Sequence, residues 1–325
     1  MSFVRIAGIG SYAPEKVLSN HDLEKIVDTS DEWISTRTGI KERRIAAGNE
    51  ASSDMALAAS KSALAAANVS PSEIDVIVVA TVTPDYLFPS TGCIIQSKLK
   101  AKNAYSFDIL AGCSGFLYAL HIGRDMIDCG RAKTVLAVGA ESLSKVVDYE
   151  DRSTCVLFGD GSGAAVLRKS DTPGILSSLM CSDGDNWNLL YMPGGGSRIP
   201  ASEQSVKNRE HFLKMEGNEV FKVAVKAMET ASDKAMELAG VKPSDIDLFI
   251  PHQANLRIIE AIRKRMDMPE EKVSVNLDRY GNTSSASIPI ALHEAIKEGR
   301  VSEGSTLLLA AFGAGFTWGS CVVRL

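Results

Sequence analysis

The chain contains the stretch ANVSPSEIDVI at residues 67–77 and a related stretch, AGVKPSDIDLF, 172 positions later at residues 239–249. The same offset carries the apolar run at 135–138 onto the apolar run at 307–310. Each copy predicts an amphipathic helix, a turn with proline and serine, a buried strand, a second helix and another buried strand. We therefore predict an α/β fold built by duplication.

The repeat divides the chain into an N-terminal half, residues 1–170, and a C-terminal half, residues 171–325. The boundary is predicted near residues 170–174. Residues 183–203 contain three consecutive glycines and little apolar periodicity, so we predict a long loop there. Loops of that length are often functional, and an inert excursion is the alternative.

Two local patterns predict element types in the first half. Ser53 and Asp54 can cap an alanine-rich helix that ends near Asn68. The run from Ile74 to Thr81 is rich in β-branched residues, as expected for a strand that is covered on both faces.

Composition and charge exclude several classes of protein. The 325 residues are 45% hydrophobic and 23% charged, which is typical of a folded globular protein. No apolar run approaches the roughly 18 residues of a membrane span, and no secretory signal is visible, so we expect a cytoplasmic protein without membrane association. The net charge of −5 does not favour nucleic-acid binding. Six cysteines without CxxC or Cys/His spacing predict free thiols and no structural metal.

Cys113 lies in the segment SFDILAGCSGF at 106–116, where an apolar strand gives way to small residues and then to a helix. The field at a helix N-terminus favours the thiolate and can lower a cysteine pKa from about 8.5 into roughly the 3.5–7.5 range. We predict a nucleophile on a tight turn, and a buried packing cysteine is the alternative for this residue taken alone. The other cysteines lack this context and are predicted to be structural: Cys93, Cys129, Cys155, Cys181 and Cys321.

Two further polar side chains are predicted at the same edge of the fold. His252 immediately follows the buried strand of the second copy, at the carboxyl end where α/β folds bind ligands. Asn282 lies in a turn that leads into a helix, and the 172-residue offset places Cys113 opposite Ser285 in this turn. Taken singly, His252 is equally compatible with a capping or core histidine, and Asn282 with ordinary turn chemistry.

Two other classes of function are compatible with parts of the sequence. Gly8-Ile9-Gly10-Ser11-Tyr12-Ala13 after a short strand resembles a dinucleotide fingerprint, which would indicate an NAD-dependent oxidoreductase. Pro14 and the polar residues after it do not open a convincing helix, which disfavours that reading. A non-catalytic acyl-binding protein would give no reason for Cys, His and Asn at three matching turns.

The chain resembles β-ketoacyl-acyl carrier protein synthase III, the thiolase-fold family of condensing enzymes that starts type II fatty-acid synthesis. The resemblance runs along nearly the whole chain and is carried by DEWI (31–34), RTGI (37–40), ERR (42–44), AGCSG (111–115), FGDG (158–161), PHQAN (251–255), YGNTS (280–284) and GFTWG (315–319). A set of Cys, His and Asn separates it from relatives that pair the cysteine with two histidines. The resemblance implies duplicated βαβαβαββ halves in a five-layer αβαβα architecture, and a homodimer.

The resemblance also implies the chemistry. Cys113 would take the acyl group of a short acyl-CoA such as acetyl-CoA, and the backbone N–H groups of Cys113 and Ala314 would hold the oxyanion. Neutral His252 and Asn282 would then donate hydrogen bonds to the thioester oxygen of malonyl-acyl carrier protein during decarboxylative condensation. No metal or redox cofactor is implied. The alternative is a thiolase-fold condensing acyltransferase of secondary metabolism that uses another acceptor.

The CoA site that the resemblance implies comprises Trp33 and Arg152 on the two faces of the adenine, Thr29 and Arg37 near the nucleotide, Gly217 and Asn255 along the pantetheine arm, and Phe312 beside the catalytic cluster. Two positions depart from the family pattern. Ala314 and Ser153 stand where many members have glycine. Because only the backbone N–H of residue 314 is used, alanine is tolerable there if its backbone dihedral angles are ordinary.

The acidic acyl carrier protein implies a basic surface on this chain, made of Arg257, Lys264, Arg265, Lys222 and Lys226. Such a patch would speed association and weaken with salt. Without the resemblance, these residues would be solvated helix faces.

Phe88, in the segment PDYLFPS at 84–90, is the implied determinant of primer length. In the resembling family the residue at this position crosses the dimer interface and closes the acyl pocket of the partner subunit. A phenylalanine here predicts a shallow pocket for acetyl or propionyl groups, and a local core phenylalanine is the alternative.

Overall fold

A computed structural model describes residues 3–325, and this part of the chain forms thirteen strands and eleven helices. The strands are β1 (Phe3–Tyr12), β2 (Lys16–Ser19), β3 (Glu42–Ile45), β4 (Val76–Ala80), β5 (Tyr105–Ile109), β6 (Thr134–Ser142), β7 (Asp160–Ser170), β8 (Ile175–Ser182), β9 (Leu190–Tyr191), β10 (Lys214–Met215), β11 (Leu248–Pro251), β12 (Thr306–Gly313) and β13 (Thr317–Arg324). The helices are α1 (Asn20–Leu23), α2 (Asp31–Thr38), α3 (Ser52–Ala67), α4 (Thr91–Leu99), α5 (Gly115–Asp128), α6 (Arg152–Cys155), α7 (Glu203–Lys207), α8 (Gly217–Ala239), α9 (Leu256–Arg265), α10 (Leu277–Tyr280) and α11 (Ser287–Lys297). Within residues 3–325, no helix combines the length and the apolar character that crossing a bilayer requires.

The repeat in the sequence is a repeat in the structure. The 3₁₀ turn Pro71–Glu73 and β4 have counterparts 172 residues later in the turn Pro243–Asp245 and β11. The turn Gly112–Ser114 before α5 matches the turn Ser284–Ala286 before α11 in the same way. The predicted duplication of an α/β unit is confirmed.

Each half supplies one large sheet. The first sheet has the order β1-β7-β6-β4-β5 and the second has the order β11-β12-β13-β8. β4 lies parallel to β5 and β6, and β11 lies parallel to β12, as crossover helices require. The first sheet ends at Ser170 and the second begins at Ile175, so the change of sheet falls where the boundary of the halves is predicted. The division into two domains at that point stays a prediction.

The second half departs from the expected βαβαβαββ order at one strand. Where the first half has β5, Val273 makes only a single parallel bridge to Phe249. The Gln253 side chain donates to the carbonyl of Ser274 at 3.0 Å and accepts from the N–H of Asn276 at 2.9 Å. A side chain therefore satisfies backbone groups that a neighbouring strand would otherwise pair.

Three buried clusters separate five layers. α3 and α4 pack on the outer face of the first sheet, α5 and α11 lie between the two sheets, and α8 and α9 cover the outer face of the second sheet. β4 and β12 are buried along their whole length, as strands covered on both faces must be. The arrangement is the expected αβαβα architecture, and it brings the N-terminal ends of the two central helices, α5 and α11, together.

The predicted limits of α3 and β4 are close to the observed ones, with one correction. The N-cap of α3 is Ala51 and not Ser53 or Asp54, because the Asp54 carboxylate accepts the Ala51 N–H at 3.0 Å from inside the first turn. Asn68 ends the helix in the left-handed conformation, with φ of 51°.

The predicted loop at 183–203 is mostly irregular, and it contains the 3₁₀ turn Trp187–Leu189 and β9. β9 pairs with β10 across the rest of the excursion. Arg209 anchors this segment to the first half through an ion pair with Asp148.

Candidate active site

Cys113 lies on the 3₁₀ turn between the end of β5 and the first residue of α5. Hydroxyl groups fix this turn against β13. The Thr317 hydroxyl donates to the carbonyl of Ala111 at 2.7 Å, and the Ser114 hydroxyl is 2.7 Å from the Thr317 oxygen. The nucleophile candidate is therefore held by bonds that cross from one half to the other.

Small residues bring the backbone of Cys113 beside that of Ala314. Gly112 has φ of 52°, and a side chain there would come within 2.7 Å of the Ala314 nitrogen. A side chain at Gly313 would collide with the Cys113 nitrogen. Glycine is required at both positions, and the two N–H groups expected to hold an oxyanion lie on adjoining segments.

The charge state of Cys113 differs from the expectation of a lowered pKa. Burial raises the pKa of the Cys113 thiol to about 12, and a hydrogen bond from Ser284 acts in the opposite direction. Burial disfavours the charged thiolate form of the residue. The resting form of the residue is the thiol.

His252 follows β11 and is buried, with its N–H donating to the carbonyl of Ala310 at 2.7 Å. Burial lowers the pKa of His252 to about 3, so the imidazole is neutral. Its Nδ1 lies 2.7 Å from the Ser287 hydroxyl, which also accepts a long hydrogen bond from the Gln253 N–H at 3.4 Å. The Ser287 proton is then available to Nδ1, an arrangement that favours the tautomer with its proton on Nε2.

Asn282 is oriented by its own turn. Its Oδ1 accepts the N–H of Ser284 at 2.8 Å, which leaves the two amide protons of Nδ2 as donors. The Asn282 backbone bonds to the first half on both sides, donating to the carbonyl of Leu157 at 2.8 Å and accepting from Gly159 at 3.0 Å. The residue is therefore a fixed, neutral hydrogen-bond donor.

One cavity of about 800 Å³ brings these three side chains together. Cys113, His252 and Asn282 all line it. Of the other candidates, it is also lined by Trp33, Arg37, Gly217, Asn255, Phe312, Lys222 and Arg257. Thr29, Arg152, Ala314, Phe88, Lys226, Lys264 and Arg265 are not among its lining residues.

Two arginine guanidinium groups lie near the indole ring of Trp33. The Arg37 guanidinium carbon lies 4.9 Å from the ring centroid, and that of Arg152 lies 5.3 Å from it. Arg152 also donates to the backbone carbonyl of Asp28 at 2.9 Å. Thr29 follows this aspartate, and its buried hydroxyl has no hydrogen-bond partner within residues 3–325.

Two family models match the chain: 3-oxoacyl-[acyl-carrier-protein] synthase III over residues 107–184, and the C-terminal part of the same family over residues 236–325. The β-ketoacyl-[acyl-carrier-protein] synthase III of Caldanaerobacter subterraneus subsp. tengcongensis is 56% identical, over 98% of this chain and 97% of its own. The chain belongs to the β-ketoacyl-acyl carrier protein synthase III family. It is a condensing enzyme of the acyltransferase class.

Solved structures agree with this synthase III membership. The 3-oxoacyl-[acyl-carrier-protein] synthase III of Aquifex aeolicus superposes with a TM-score of 0.92 at 53% identity, over 99% of this chain and 100% of that one. The priming β-ketosynthase of the R1128 polyketide pathway superposes with a TM-score of 0.92 at 40% identity, over 99% and 96% of the two chains. The five layers of this synthase III chain are the thiolase fold.

The basic residues that were predicted to bind acyl carrier protein are all exposed on this synthase III chain. Arg257 stands over the Phe221 ring at 5.8 Å, near the mouth of the cavity. Lys222 pairs with Glu219 at 2.7 Å, and Arg265 pairs with Glu229 at 2.7 Å, so part of their charge is neutralised. The candidate surface is thus a mixed one, and two of its cations, Lys222 and Arg257, also line the cavity.

Phe88 is 85% exposed, which excludes the alternative of a core phenylalanine in the single synthase III chain. Leu87 beside it is 82% exposed. The ring does not reach the cavity of its own chain.

The groups that hold the candidate catalytic side chains in place were not predicted from the sequence. Ser287 and Glu141 belong to elements whose pattern reads as ordinary buried structure. Val220, Ala224 and Met228 of α8 line the cavity, and they recur at the spacing expected for one face of a helix. That spacing identifies a buried face but not the cavity that it faces.

Proposed function

We propose that this protein starts fatty-acid synthesis by condensing a short acyl-CoA, acetyl-CoA, with malonyl-acyl carrier protein through an acyl-Cys113 intermediate. The observation that carries the proposal is the single cavity lined by the Cys113 thiol, the neutral His252 imidazole and the Asn282 amide. A nucleophile and two uncharged donors are what thioester transfer followed by decarboxylation requires.

In the first half-reaction, Cys113 sulfur attacks the acyl-CoA carbonyl. The N–H groups of Cys113 and Ala314 would receive the charge that develops on the carbonyl oxygen. The bond to CoA sulfur then breaks, and the acyl group stays on Cys113. Because the resting residue is a thiol, its proton must leave as the attack proceeds, and the departing CoA sulfur takes up a proton, so that CoA leaves as the free thiol.

In the second half-reaction, the bond between the malonyl carboxylate and its methylene carbon breaks. The electron pair moves into an enolate whose oxygen lies at His252 Nε2 and Asn282 Nδ2. Each donor of this kind contributes about 3 kcal/mol to the transition state. The enolate carbon attacks acyl-Cys113, and the cysteine thiolate leaves. Loss of carbon dioxide supplies the carbanion, so the proposed route needs neither a metal nor a redox cofactor.

We propose the binding roles that the family resemblance implies, and the lining of the cavity supports part of them. Trp33 and Arg152 would hold the adenine of CoA, with Thr29 and Arg37 near the nucleotide. Gly217 and Asn255 line the cavity between that edge and Cys113, where the pantetheine arm would pass, and Phe312 packs beside the catalytic cluster. Acyl carrier protein would dock on the basic surface defined by Arg257, Lys222, Lys226, Lys264 and Arg265.

We also propose a homodimer. Leu87, Phe88 and Leu110 are each at least 80% exposed, and Leu110 directly follows β5, an edge strand of the first sheet. Exposed apolar clusters of this kind are usually covered by a partner. Six free cysteines are compatible with a reducing, cytoplasmic location.

The test is incubation of the protein with acetyl-CoA and malonyl-acyl carrier protein, followed by mass spectrometry of the carrier. The expected product is acetoacetyl-carrier protein, with loss of carbon dioxide and release of CoA. Acetylated Cys113 without any condensation product would contradict the proposal.

A second candidate function uses the same chemistry in a different pathway. The similarity to a priming ketosynthase of a polyketide pathway favours testing carrier proteins from secondary metabolism as acceptors. A kcat/KM higher for such a carrier than for the fatty-acid carrier would favour this candidate.

A further inference from the structure

Glu141 is a fully buried carboxylate that the proposed reaction does not use. It lies near the carboxyl end of β6 and is 0% exposed. Among residues 3–325, no lysine, arginine or histidine forms an ion pair with it. A buried charge without a cation is costly unless hydrogen bonds replace the lost water.

Those hydrogen bonds come from two separate segments. Oε2 accepts the Val82 N–H at 3.0 Å and the Thr83 hydroxyl at 2.9 Å, both from the loop after β4. Oε1 accepts the hydroxyls of Ser285 at 2.7 Å and Ser284 at 3.1 Å, both from the turn before α11 in the second half. One carboxylate thus joins the first sheet to the turn that carries Asn282.

Two of the donors around Glu141, the Val82 N–H and the Thr83 hydroxyl, match an ionised carboxylate, whereas the Ser285 hydroxyl also lies 3.0 Å from the carbonyl oxygen of Ala80. The Val82 N–H can only donate, and the Thr83 oxygen already accepts the N–H of Ser142 at 2.8 Å, which directs its own proton to Glu141. An ionised carboxylate can only accept hydrogen bonds, and each of its two oxygens accepts at least one here. Burial raises the pKa of Glu141, and the bonds from Ser285, Val82, Thr83 and Ser284 counter that effect.

The Asn282 turn needs such an anchor because it is strained. Ser284 has φ of 48°, a conformation that a non-glycine residue adopts only when its surroundings impose it. The N–H of this residue fixes the Asn282 side chain, and its hydroxyl is bound to Glu141. Loss of the carboxylate would release the turn and, with it, the direction of the Asn282 amide.

We propose that Glu141 is a positioning residue of the condensing reaction, which holds the Asn282 turn against the Cys113 turn through Ser284 and Ser285. The inference rests on the proposed function, since it concerns the donor that stabilises the malonyl enolate. It adds a second consequence, because the negative charge of Glu141 also acts on the Cys113 sulfur.

The groups that face Cys113 decide the sign of that second effect. Glu141 of β6 raises the pKa of Cys113, and His252, after β11, is neutral. The charged side chains elsewhere in the cavity lining are Arg37, Glu219, Lys222 and Arg257. In Glu141→Gln, the amide oxygen can accept from Val82 while its NH₂ group turns toward the serine hydroxyls. The negative charge is then lost, and the Cys113 sulfur no longer competes with a carboxylate oxygen for the Ser284 proton, and both changes favour the thiolate.

The first experiment measures the pH dependence of Cys113 alkylation by iodoacetamide, with peptide mapping, in wild type and Glu141→Gln. The alkylation profile of the variant should move to lower pH by about one unit or more. Asp75→Asn is the matched control, since the Asp75 carboxylate accepts hydrogen bonds from the N–H groups of Lys133 and Thr134 but lies at the opposite end of β4. Its profile should coincide with that of wild type.

The second experiment compares malonyl-carrier decarboxylation with acetyl transfer to Cys113 in Glu141→Ala and in Ser285→Ala. Decarboxylation should fall about tenfold or more relative to acetyl transfer in Glu141→Ala, and by less in Ser285→Ala, which retains the bond to Ser284. If Glu141→Ala does not fold, Ser285→Ala still tests the positioning role of Glu141. An unmoved alkylation profile together with equal loss of both half-reactions would overturn the inference. Inactivity of the wild type in both half-reactions would instead count against the proposed function.

Discussion

The guanidinium of Arg152 lies over the indole of Trp33, 5.3 Å from the ring centroid. An aromatic base inserted between them would need about 3.5–4 Å on each side, so the two groups stand too close for a stacked adenine. Arg152 is held there by the Asp28 carbonyl and, at 3.6 Å, by its carboxylate. If the adenine of CoA binds between the two groups, as proposed, Arg152 must swing away from Asp28 and then cover the inserted base.

The first prediction concerns this pair. Arg152→Ala should raise KM for acetyl-CoA roughly 2- to 30-fold, the range that a cation–π contact of about 0.5–2 kcal/mol provides, with kcat nearly unchanged. Acetyl-pantetheine lacks the nucleotide, so its kcat/KM should be the same for wild type and variant. An equal loss for both substrates would mean that Arg152 supports the fold and not the adenine.

The second prediction concerns the charge state of Cys113. Since burial raises its pKa to about 12, the alkylation rate of Cys113 should increase about tenfold per pH unit from about pH 7 to about pH 10. Incubation with acetyl-CoA alone should place one acetyl group on Cys113, and Cys113→Ala should lose it. Peptide mapping is essential, because hydrogen bonds from Ser106 and Ser90 lower the pKa of the exposed Cys93 thiol, which should react earlier. A plateau of Cys113 reactivity near neutral pH would show that the helix field dominates.

The third prediction separates the half-reactions. His252→Ala or Asn282→Ala should reduce malonyl decarboxylation by about two orders of magnitude, because each removes a donor to the enolate oxygen, and should affect acetyl transfer much less. Rates of carbon dioxide release and of Cys113 acetylation give the two values for each variant. Equal loss of both steps in Asn282→Ala would contradict the division of roles.

The fold was predictable because its signal is local and repeated. The turn at 71–73 and the strand after it have counterparts in the turn at 243–245 and the strand after that one. The same pattern of turn residues followed by a buried apolar run therefore forms the same structure in both copies. The convergence of Cys113, His252 and Asn282 on one cavity was predictable for the same reason, since each lies just beyond a patterned element.

Properties that depend on distant neighbours were not predictable. The pKa of Cys113 depends on cavity walls supplied by α8, more than 100 residues away in the chain. The missing strand of the second half depends on a side chain, Gln253, taking the place of backbone pairing. No periodic pattern of residues in the sequence indicates either effect.

The fourth prediction concerns the carrier protein. Arg257→Glu should raise KM for malonyl-acyl carrier protein and flatten its dependence on salt, because an exposed cation acts on encounter with an acidic partner. Arg131→Glu makes the same change of charge beyond the C-terminal end of α5, away from the cavity, and should leave KM as in wild type. An unaltered KM in Arg257→Glu would place the docking surface elsewhere.

The last prediction concerns primer length and rests on the exposure of Phe88. A ring that is 85% exposed on one chain contributes little to the stability of that chain, and its apolar surface favours burial against a second copy. If it closes the acyl pocket of the partner subunit, Phe88→Thr should open space at the end of that pocket. Each additional methylene accommodated would gain up to about 0.8 kcal/mol, so the preference for acetyl-CoA should fall or invert over several carbons.

The measurement is kcat/KM from acetyl- to decanoyl-CoA for wild type and Phe88→Thr, with sedimentation to establish the oligomeric state. Leu110→Thr is the matched control, since Leu110 is 80% exposed and follows the same edge strand. This control should weaken the dimer without changing the relative preference among acyl chains. If Phe88→Thr also shifts only the oligomeric state and its chain-length profile stays that of wild type, Phe88 is an interface residue and not the end of the acyl pocket.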